Sequence, residues 1–501
     1  MKKWQYKWQV VAAVVFGTFM VIMDATVVNV ALKTLQNSFN TSINQVQWVI
    51  SGYALALGVV TPLSGFLGDR FGIKRVWLIC LGFFVFGSVL CALAPSIEML
   101  IAFRILQGLG GGAALPLGTA MLFSAFPPQE RGLAMGIFGI PLVMAPALGP
   151  VLGGYFVEYV DWRLIFLINI PIGGAGIWIG SKLLREKKGE GKQRFDLAGT
   201  ITSVLGFGGL LYGLSSGSQD GWLAPNVVLS LAVGLVSLVA FAFIELNKND
   251  GLVDLRLFKS PVFLMANVVG WVTTVAFFGA EFLLPLYLQV LRGLTALETG
   301  LLLLPLALTS GLLIPFTGRL YDKIGARPIV AIGFILLTVN TWQLSQISMD
   351  TPLWFIGFLL MLRGMALACV IQPVQAAALS QVSVPKLPRA SSLITSSRQV
   401  FQALGVAALA TIVQNNLGGL TQRTPGTPPS SQAIALFQQT YLSGLESAYL
   451  FTFWTATFAI VLALLLPGWP LKPRVATAPV TNLPVRSQLA LSEPEIERAA
   501  A

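Results

Sequence analysis

The chain alternates between long apolar runs and short polar breaks. A helix needs roughly twenty apolar residues, at ~1.5 Å of rise each, to cross a bilayer. Runs of that length fall at about 10–32, 47–68, 76–94, 97–122, 133–157, 163–181, 197–215, 226–246, 262–289, 297–318, 328–346, 353–379, 391–413 and 447–467. They predict fourteen spans. The shortest breaks, around Asp161 and Pro352, must reverse the chain in a tight polar turn. The N-terminal "MKKWQYKWQV" leads into a run too long for a signal peptide, with no small-residue cleavage pattern after it, so it reads as an uncleaved first helix. The segment 414–446, with "TQRTPGTPPSSQ" at its centre, reads as one long external loop. The Pro-, Ala- and Ser-rich tail after 467 reads as disordered.

Composition fits this pattern. Of 501 residues 55% are hydrophobic and only 11% charged, and the mean hydropathy is +0.77. These values describe an all-α polytopic membrane protein. The net charge of +11 would suggest nucleic acid in a soluble domain, so its location decides its meaning. With the N-terminus cytoplasmic, 25 lysines and arginines fall in inner segments, and four, Lys33, Arg163, Arg292 and Arg423, fall in outer loops. That asymmetry is the positive-inside signature and removes the nucleic-acid reading. The absence of histidine excludes a histidine triad, metal site or proton relay, which leaves proton chemistry to carboxylates. Cys80 and Cys91 lie too far apart on one helix to bridge, and with Cys369 they imply no disulfide framework. "GEGK" at 189–192 lacks the spacing of a phosphate-binding loop, so neither an ATPase nor a nucleotide or metal cofactor is expected.

Two turns repeat. "GFLGDRFGIKR" (Gly65 to Arg75) and "GRLYDKIGARP" (Gly318 to Pro328) place Gly65, Asp69 and Gly72 against Gly318, Asp322 and Gly325, each 253 residues on. Both turns are cytoplasmic by the charge count, so the halves are parallel repeats about an axis along the membrane normal. They predict two bundles rocking around a central site.

Charges inside spans carry the chemistry. Asp24 interrupts "MVIMDATVVNVAL", where an ionised carboxylate costs on the order of 3 kcal/mol. Counted from span ends at ~1.5 Å per residue, Arg104 lies ~10 Å from the outer surface, Asp24 and Glu281 ~12 Å and Arg363 ~16 Å. A shared water-filled cavity would make all four tolerable; Arg398 lies near a helix entry. Asp24 either handles protons or cations or serves as a structural partner on a neighbouring helix. Glu281 and Arg363 are open in the same way, and Arg104 is a site residue or one half of a permanent ion pair. Tyr53, Phe277, Phe278 and Tyr287 are candidate platforms for planar cations, or packing aromatics. Gly108, Gly110 and Ala113 in "LQGLGGGAA" imitate a dinucleotide fingerprint, but inside a span they read as close helix packing. "GIPLVMAPALGPVLGG" (Gly139 to Gly154), with four glycines and three prolines, reads as a kinked packing seam or hinge.

In order and over nearly the whole chain, these strings resemble the major facilitator superfamily, specifically its fourteen-span drug:proton antiporters of the EmrB/QacA type. "MDATVVNVAL" resembles the first-helix motif, with Asp24, Thr26, Asn29 and Ala31 in register and Lys33 where proline is usual. "WVISGYAL" is similar to the second-helix signature. "GFLGDRFGIKR" resembles the cytoplasmic gate motif, with Ile73 where a basic residue is common. The resemblance makes Asp69 the latch and gives Gly65, Arg70, Gly72 and Lys74 the shaping of the turn. "FRILQGLGGG" resembles the fourth-helix motif whose arginine, here Arg104, is linked to proton transfer. "PALGPVLGG" resembles the antiporter motif, implying roles for Gly139, Pro146, Gly149, Pro150 and Gly153 and favouring export over import. "DWRLIFLINIPIG" and "RASSLITSSRQVFQALGVAAL" also match.

The resemblance implies a major facilitator fold. Two six-helix bundles, 1–185 and 261–470, would flank two inserted helices in 186–260, with a tail at 471–501. The expected function is proton-coupled export of amphipathic, often cationic compounds by a non-enzymatic monomer of the cell (inner) membrane, with both termini cytoplasmic. Proton coupling falls to Asp24, Arg104 and Glu281, and substrate contact to Asp24, Tyr53, Phe277, Glu281 and Arg363. Expected partners are membrane lipid, a small-molecule substrate and protons, with a periplasmic adaptor in a two-membrane cell. Export of a single metabolite, and a non-transporting scaffold or sensor, are the rival readings.

Overall fold

The computed structural model describes residues 5–186, 196–248, 251–417 and 431–466. The helices are α1 (Tyr6–Val27), α2 (Leu32–Phe39), α3 (Ile43–Phe71), α4 (Ile73–Ala92), α5 (Ile97–Gly111), α6 (Ala114–Ala125), α7 (Arg131–Tyr159), α8 (Leu164–Leu167) and α9 (Asn169–Leu183). They continue as α10 (Leu197–Asp220), α11 (Pro225–Asn247), α12 (Pro261–Leu286), α13 (Ala296–Ile324), α14 (Ala326–Ser345), α15 (Leu353–Ser380), α16 (Leu387–Leu417) and α17 (Ser431–Leu465). Thirteen helical stretches are long and apolar enough to cross a membrane. The 26-residue α12, apolar over Pro261–Phe277, is the fourteenth.

Local chemistry sets the boundaries. Ser42 and Ser96 cap α3 and α5 by accepting from Gln45 N and Met99 N, and Thr295 forms a capping box with Glu298. The repeated turns need their glycines. Gly72 (φ +94°) and Gly325 (φ +77°) end α3 and α13 and begin α4 and α14, in a backbone region that costs a side chain strain. The turn at Asp161 is tied by Arg163 N donating to its carboxylate at 2.8 Å, and Pro352 caps α15.

Three details differ from the sequence reading. The first span does not stop near Leu32: a 3₁₀ turn at Val28–Ala31 carries the chain into α2, which ends at Asn40 in the left-handed region. The fourth span is broken at "GGGA", between α5 and α6, because Gly110 and Gly112 let the backbones of α4 and α3 approach too closely for a side chain. α16 begins four residues before the expected entry, at Leu387, so Arg398 lies eleven residues from the helix start.

Helices α1–α9 pack mainly among themselves, as do α12–α17. Contacts of α7 with α13 and α15, of α3 with α16 and of α6 with α16 join the two sets. The expected glycine seam is α7. A Cβ at Gly149 or Gly153 would strike Thr26 or Val27 of α1, one at Gly139 would strike Gln372 of α15 and Ile314 of α13, and one at Gly132 would strike the Gly318 carbonyl. Small residues let these backbones meet where lipid supplies no hydrophobic drive. All three prolines, Pro141, Pro146 and Pro150, fall inside this one 29-residue helix.

The hairpin of α10 and α11 leans on both sets. Tyr212 of α10 stacks on Trp48 of α3 with ring centroids 5.9 Å apart, and Leu211 fills the space over Gly58. Just past α10, Trp222 Nε1 donates to Thr411 Oγ1 of α16 at 2.9 Å. These contacts lie at the end of α3 and α16 away from the repeated turns.

Candidate functional site

Asp24, fully buried on α1, accepts from three side chains. Arg104 Nη1 of α5 donates to Oδ2 at 2.5 Å, while Gln107 Nε2 and Asn169 Nδ2 donate to Oδ1 at 3.0 and 2.6 Å. Ser88 of α4 accepts from both amides, and Arg104 also donates to Gln107 Oε1 and to the Val49 carbonyl of α3. The guanidinium lies 4.0 Å from the Tyr53 ring centroid and 5.7 Å from that of Phe166, and the Tyr53 hydroxyl donates to the Val21 carbonyl. Five helices, α1, α3, α4, α5 and α9, thus wrap one charge pair. A carboxylate with three donors and an arginine on an aromatic face is a way to hold both charges away from water. Protonating Asp24 would remove the counter-charge that Arg104 faces.

Of the four charges expected to share a cavity, Asp24 and Arg104 meet directly, and Arg363 lies on a helix of the other set. Every hydrogen bond of Asp24 stays within α1–α9, whereas Arg363 of α15 donates to the Phe277 carbonyl of α12 at 3.0 Å and to Asn340 Oδ1 of α14 at 3.4 Å. Its guanidinium sits 5.2 Å from the Phe277 ring. Tyr53 and Phe277, 3% exposed each, therefore lie against arginines and offer no open platform. Tyr287 is buried and donates to the Ser348 carbonyl. Glu281 lies on α12, but its side chain, like that of Phe278, falls outside the described residues.

The repeated turns dock each set of helices on the other. Asp69 of α3 pairs with Arg389 Nε of α16 at 2.7 Å, and a Cβ at Gly65 would strike the Arg389 backbone. Asp322 of α13 accepts instead from the Gly132 and Leu133 amides at the start of α7, at 2.8 and 3.0 Å. Lys74 donates to the Ser181 and Leu184 carbonyls that end α9, and Arg70 lies over the Phe71 ring at 5.3 Å. Gln107, Asn169, Ser88 and Arg389 were not singled out from the sequence. The signal for the first three was an amide or hydroxyl inside an apolar run.

The family profile described as Major Facilitator Superfamily matches residues 14–406. The chain belongs to the major facilitator superfamily. Among its relatives in the superfamily, the MFS-type transporter YhcA of Bacillus subtilis (strain 168) is 36% identical over 80% of this chain and 75% of its own length. Multidrug export protein EmrB of Haemophilus influenzae (strain ATCC 51907 / DSM 11121 / KW20 / Rd) is 33% identical, covering 87% of this chain and 88% of its own. Lincomycin resistance protein LmrB of Listeria monocytogenes serovar 1/2a (strain ATCC BAA-679 / EGD-e) is 31% identical over 91% and 96%. The solved proton:xylose symporter XylE overlays with a TM-score of 0.61, covering 92% of this chain and 96% of that one, at 14% identity. That likeness speaks for the major facilitator fold alone. The superfamily and the apolar helices make this a multi-pass membrane protein with a transport role.

Proposed function

We propose that the chain is a proton-coupled antiporter that exports amphipathic drugs and other toxic compounds across the cell membrane. The observation that carries the proposal is the buried Asp24–Arg104 pair, held by Gln107, Asn169 and Ser88. In the closed knot Asp24 is the proton acceptor and Arg104 its counter-charge. A proton on Asp24 neutralises the carboxylate, weakens its hold on Arg104 and lets α1 move relative to α5. Glu281 is the second proton-coupling residue of the proposal. Export of drugs is supported by the relatives named for multidrug export and lincomycin resistance.

The cytoplasmic placement of the repeated turns is supported by the 25 to 4 split of basic residues, as are cytoplasmic termini in the cell membrane. In this orientation the Asp69–Arg389 and Asp322–α7 contacts form the inner gate, closed here, and 1–185 and 261–470 are the two moving bundles. Inverted vesicles with an acid interior test the reading, with the pH gradient read by a dye while ethidium or lincomycin is added. Wild type releases protons on addition of substrate, and Asp24→Asn abolishes the response at normal expression. Coupled efflux unchanged in Asp24→Asn would remove Asp24 from the mechanism.

A further inference from the structure

Arg398 is an arginine within a span that the proposed function leaves unused. It sits eleven residues into α16, ~17 Å along the helix axis, within a stretch long and apolar enough to cross a membrane. Its neighbours on α16 fix the direction it faces. On one side Ser397 accepts from Trp271 Nε1 of α12 at 2.9 Å, and Phe401 stacks on Trp271 with centroids 4.8 Å apart. On the other side Gln399 donates to Thr61 Oγ1 of α3 at 3.3 Å. Arg398 lies between these directions, with its guanidinium beside Gly270 of α12, and its Nη1 donates to Gln375 Oε1 of α15 at 3.2 Å.

The α15 and α16 walls beside it are both polar. Ser391, Thr395, Arg398 and Gln402, spaced by four, three and four, share one face of α16. On α15, Gln372 precedes Gln375 by three residues; it is 1% exposed, and among the described residues neither its amide oxygen nor its nitrogen has a partner. It packs against Gly139 of α7, from the other helix set, and Ser391 Oγ is likewise unpartnered. Among the described residues no carboxylate pairs with Arg398. A cation at membrane depth with a neutral amide for company, beside an unsatisfied buried amide, is a costly arrangement that an anion would relieve.

We infer that Arg398, with Gln372 and Gln375, forms a subsite for an anionic group, a carboxylate or its isostere, on an amphipathic cargo. The inference rests on the export reading and names part of its substrate class. The guanidinium fork matches a carboxylate in two parallel N–H···O bonds, and an amide of α15 can donate a third. The stacked Trp271 and Phe401 supply an apolar plane beside it for the body of the cargo. Asp24, the acid expected from the sequence to meet cationic cargo, already has all three donors it faces within its own helix set.

A matched pair of probes isolates the charge: pyrenebutyrate, and pyrenebutyl-trimethylammonium with the same ring and chain. With the full chain in nanodiscs, wild type binds the butyrate. Arg398→Gln weakens that binding about tenfold or more, and the ammonium probe is unaffected or tighter. Arg398→Lys falls between, since it keeps the charge and loses the fork. Equal weakening of both probes, or butyrate binding unchanged in Arg398→Gln, overturns the subsite. Export of the same pair and of ethidium from vesicles separates the two readings. Arg398-dependent butyrate binding without export of anything leaves the subsite standing and the exporter reading fallen. Export of cations by a wild type that does not bind butyrate does the reverse.

Discussion

The same aspartate in the same repeated turn makes two different contacts. Asp69 meets a side chain, Arg389, at 2.7 Å, and Asp322 meets two backbone amides at the start of α7. The turn motif therefore specifies an acceptor at a helix end and leaves the donor to the opposite half. An arginine can swing away and carry its charge with it. A helix N-terminus is fixed, and its donors and positive dipole move only if the whole helix moves. The Asp69–Arg389 pair can part by side-chain rotation while the α3 and α16 backbones stay in contact at Gly65, whereas parting Asp322 from its donors requires α7 and α13 to separate.

Substitutions can break this asymmetry. The largest effect is expected where backbones touch. Gly318→Ala places a Cβ against the Gly132 carbonyl, and opening this face by roughly 3 kcal/mol or more should abolish cross-linking between cysteines set at 133 and 321. Next comes Asp69→Asn, which removes the carboxylate that Arg389 Nε pairs with in a largely buried contact, 10% exposed. It should favour the open face by about 2 kcal/mol, and an Asp69→Arg, Arg389→Asp exchange should restore cross-linking. Asp322→Asn keeps one acceptor and should cost about 1 kcal/mol, with no rescue by any change at Arg389, because its donors are backbone. The smallest effect belongs to Lys7→Gln, which removes the pair with Glu130 at the surface. Thermal unfolding in detergent should shift by less than ~1 kcal/mol equivalent. If Asp322→Asn proved the more disruptive of the two aspartate variants, the fixed-donor account of the second latch would fail.

The spans, the repeated turns and Asp24 with Arg104 were legible because membrane helices announce themselves by apolar length and any charge inside them stands out. Gly72 and Gly325 could be matched as a repeat, and their positive φ supplies the reason they recur. What surrounded the charges was not legible. Asn169 and Gln107 are neutral and reach Asp24 from α9 and α5, so their part depends on how helices face, which a linear pattern does not carry. Arg398 lies farther from its helix start than the apolar run suggests, because hydropathy locates a helix by its apolar centre, and α16 starts with a polar stretch, "LPRASS", that folds into the helix all the same. The placement of Arg363 against Phe277 and Asn340 likewise came from packing, and its span gave depth only.

The contacts of the α10–α11 hairpin have a mechanical meaning. Trp48 on Tyr212 fastens it to one half and Trp222 to Thr411 fastens it to the other, both at the end away from the latches. Any relative motion of α3 and α16 at this end changes the gap that the hairpin bridges and loads its two tryptophan contacts. The hairpin is thus a strap between the two helix sets, and its fit can be altered at Trp48 or Trp222 without touching Asp24 or Arg398.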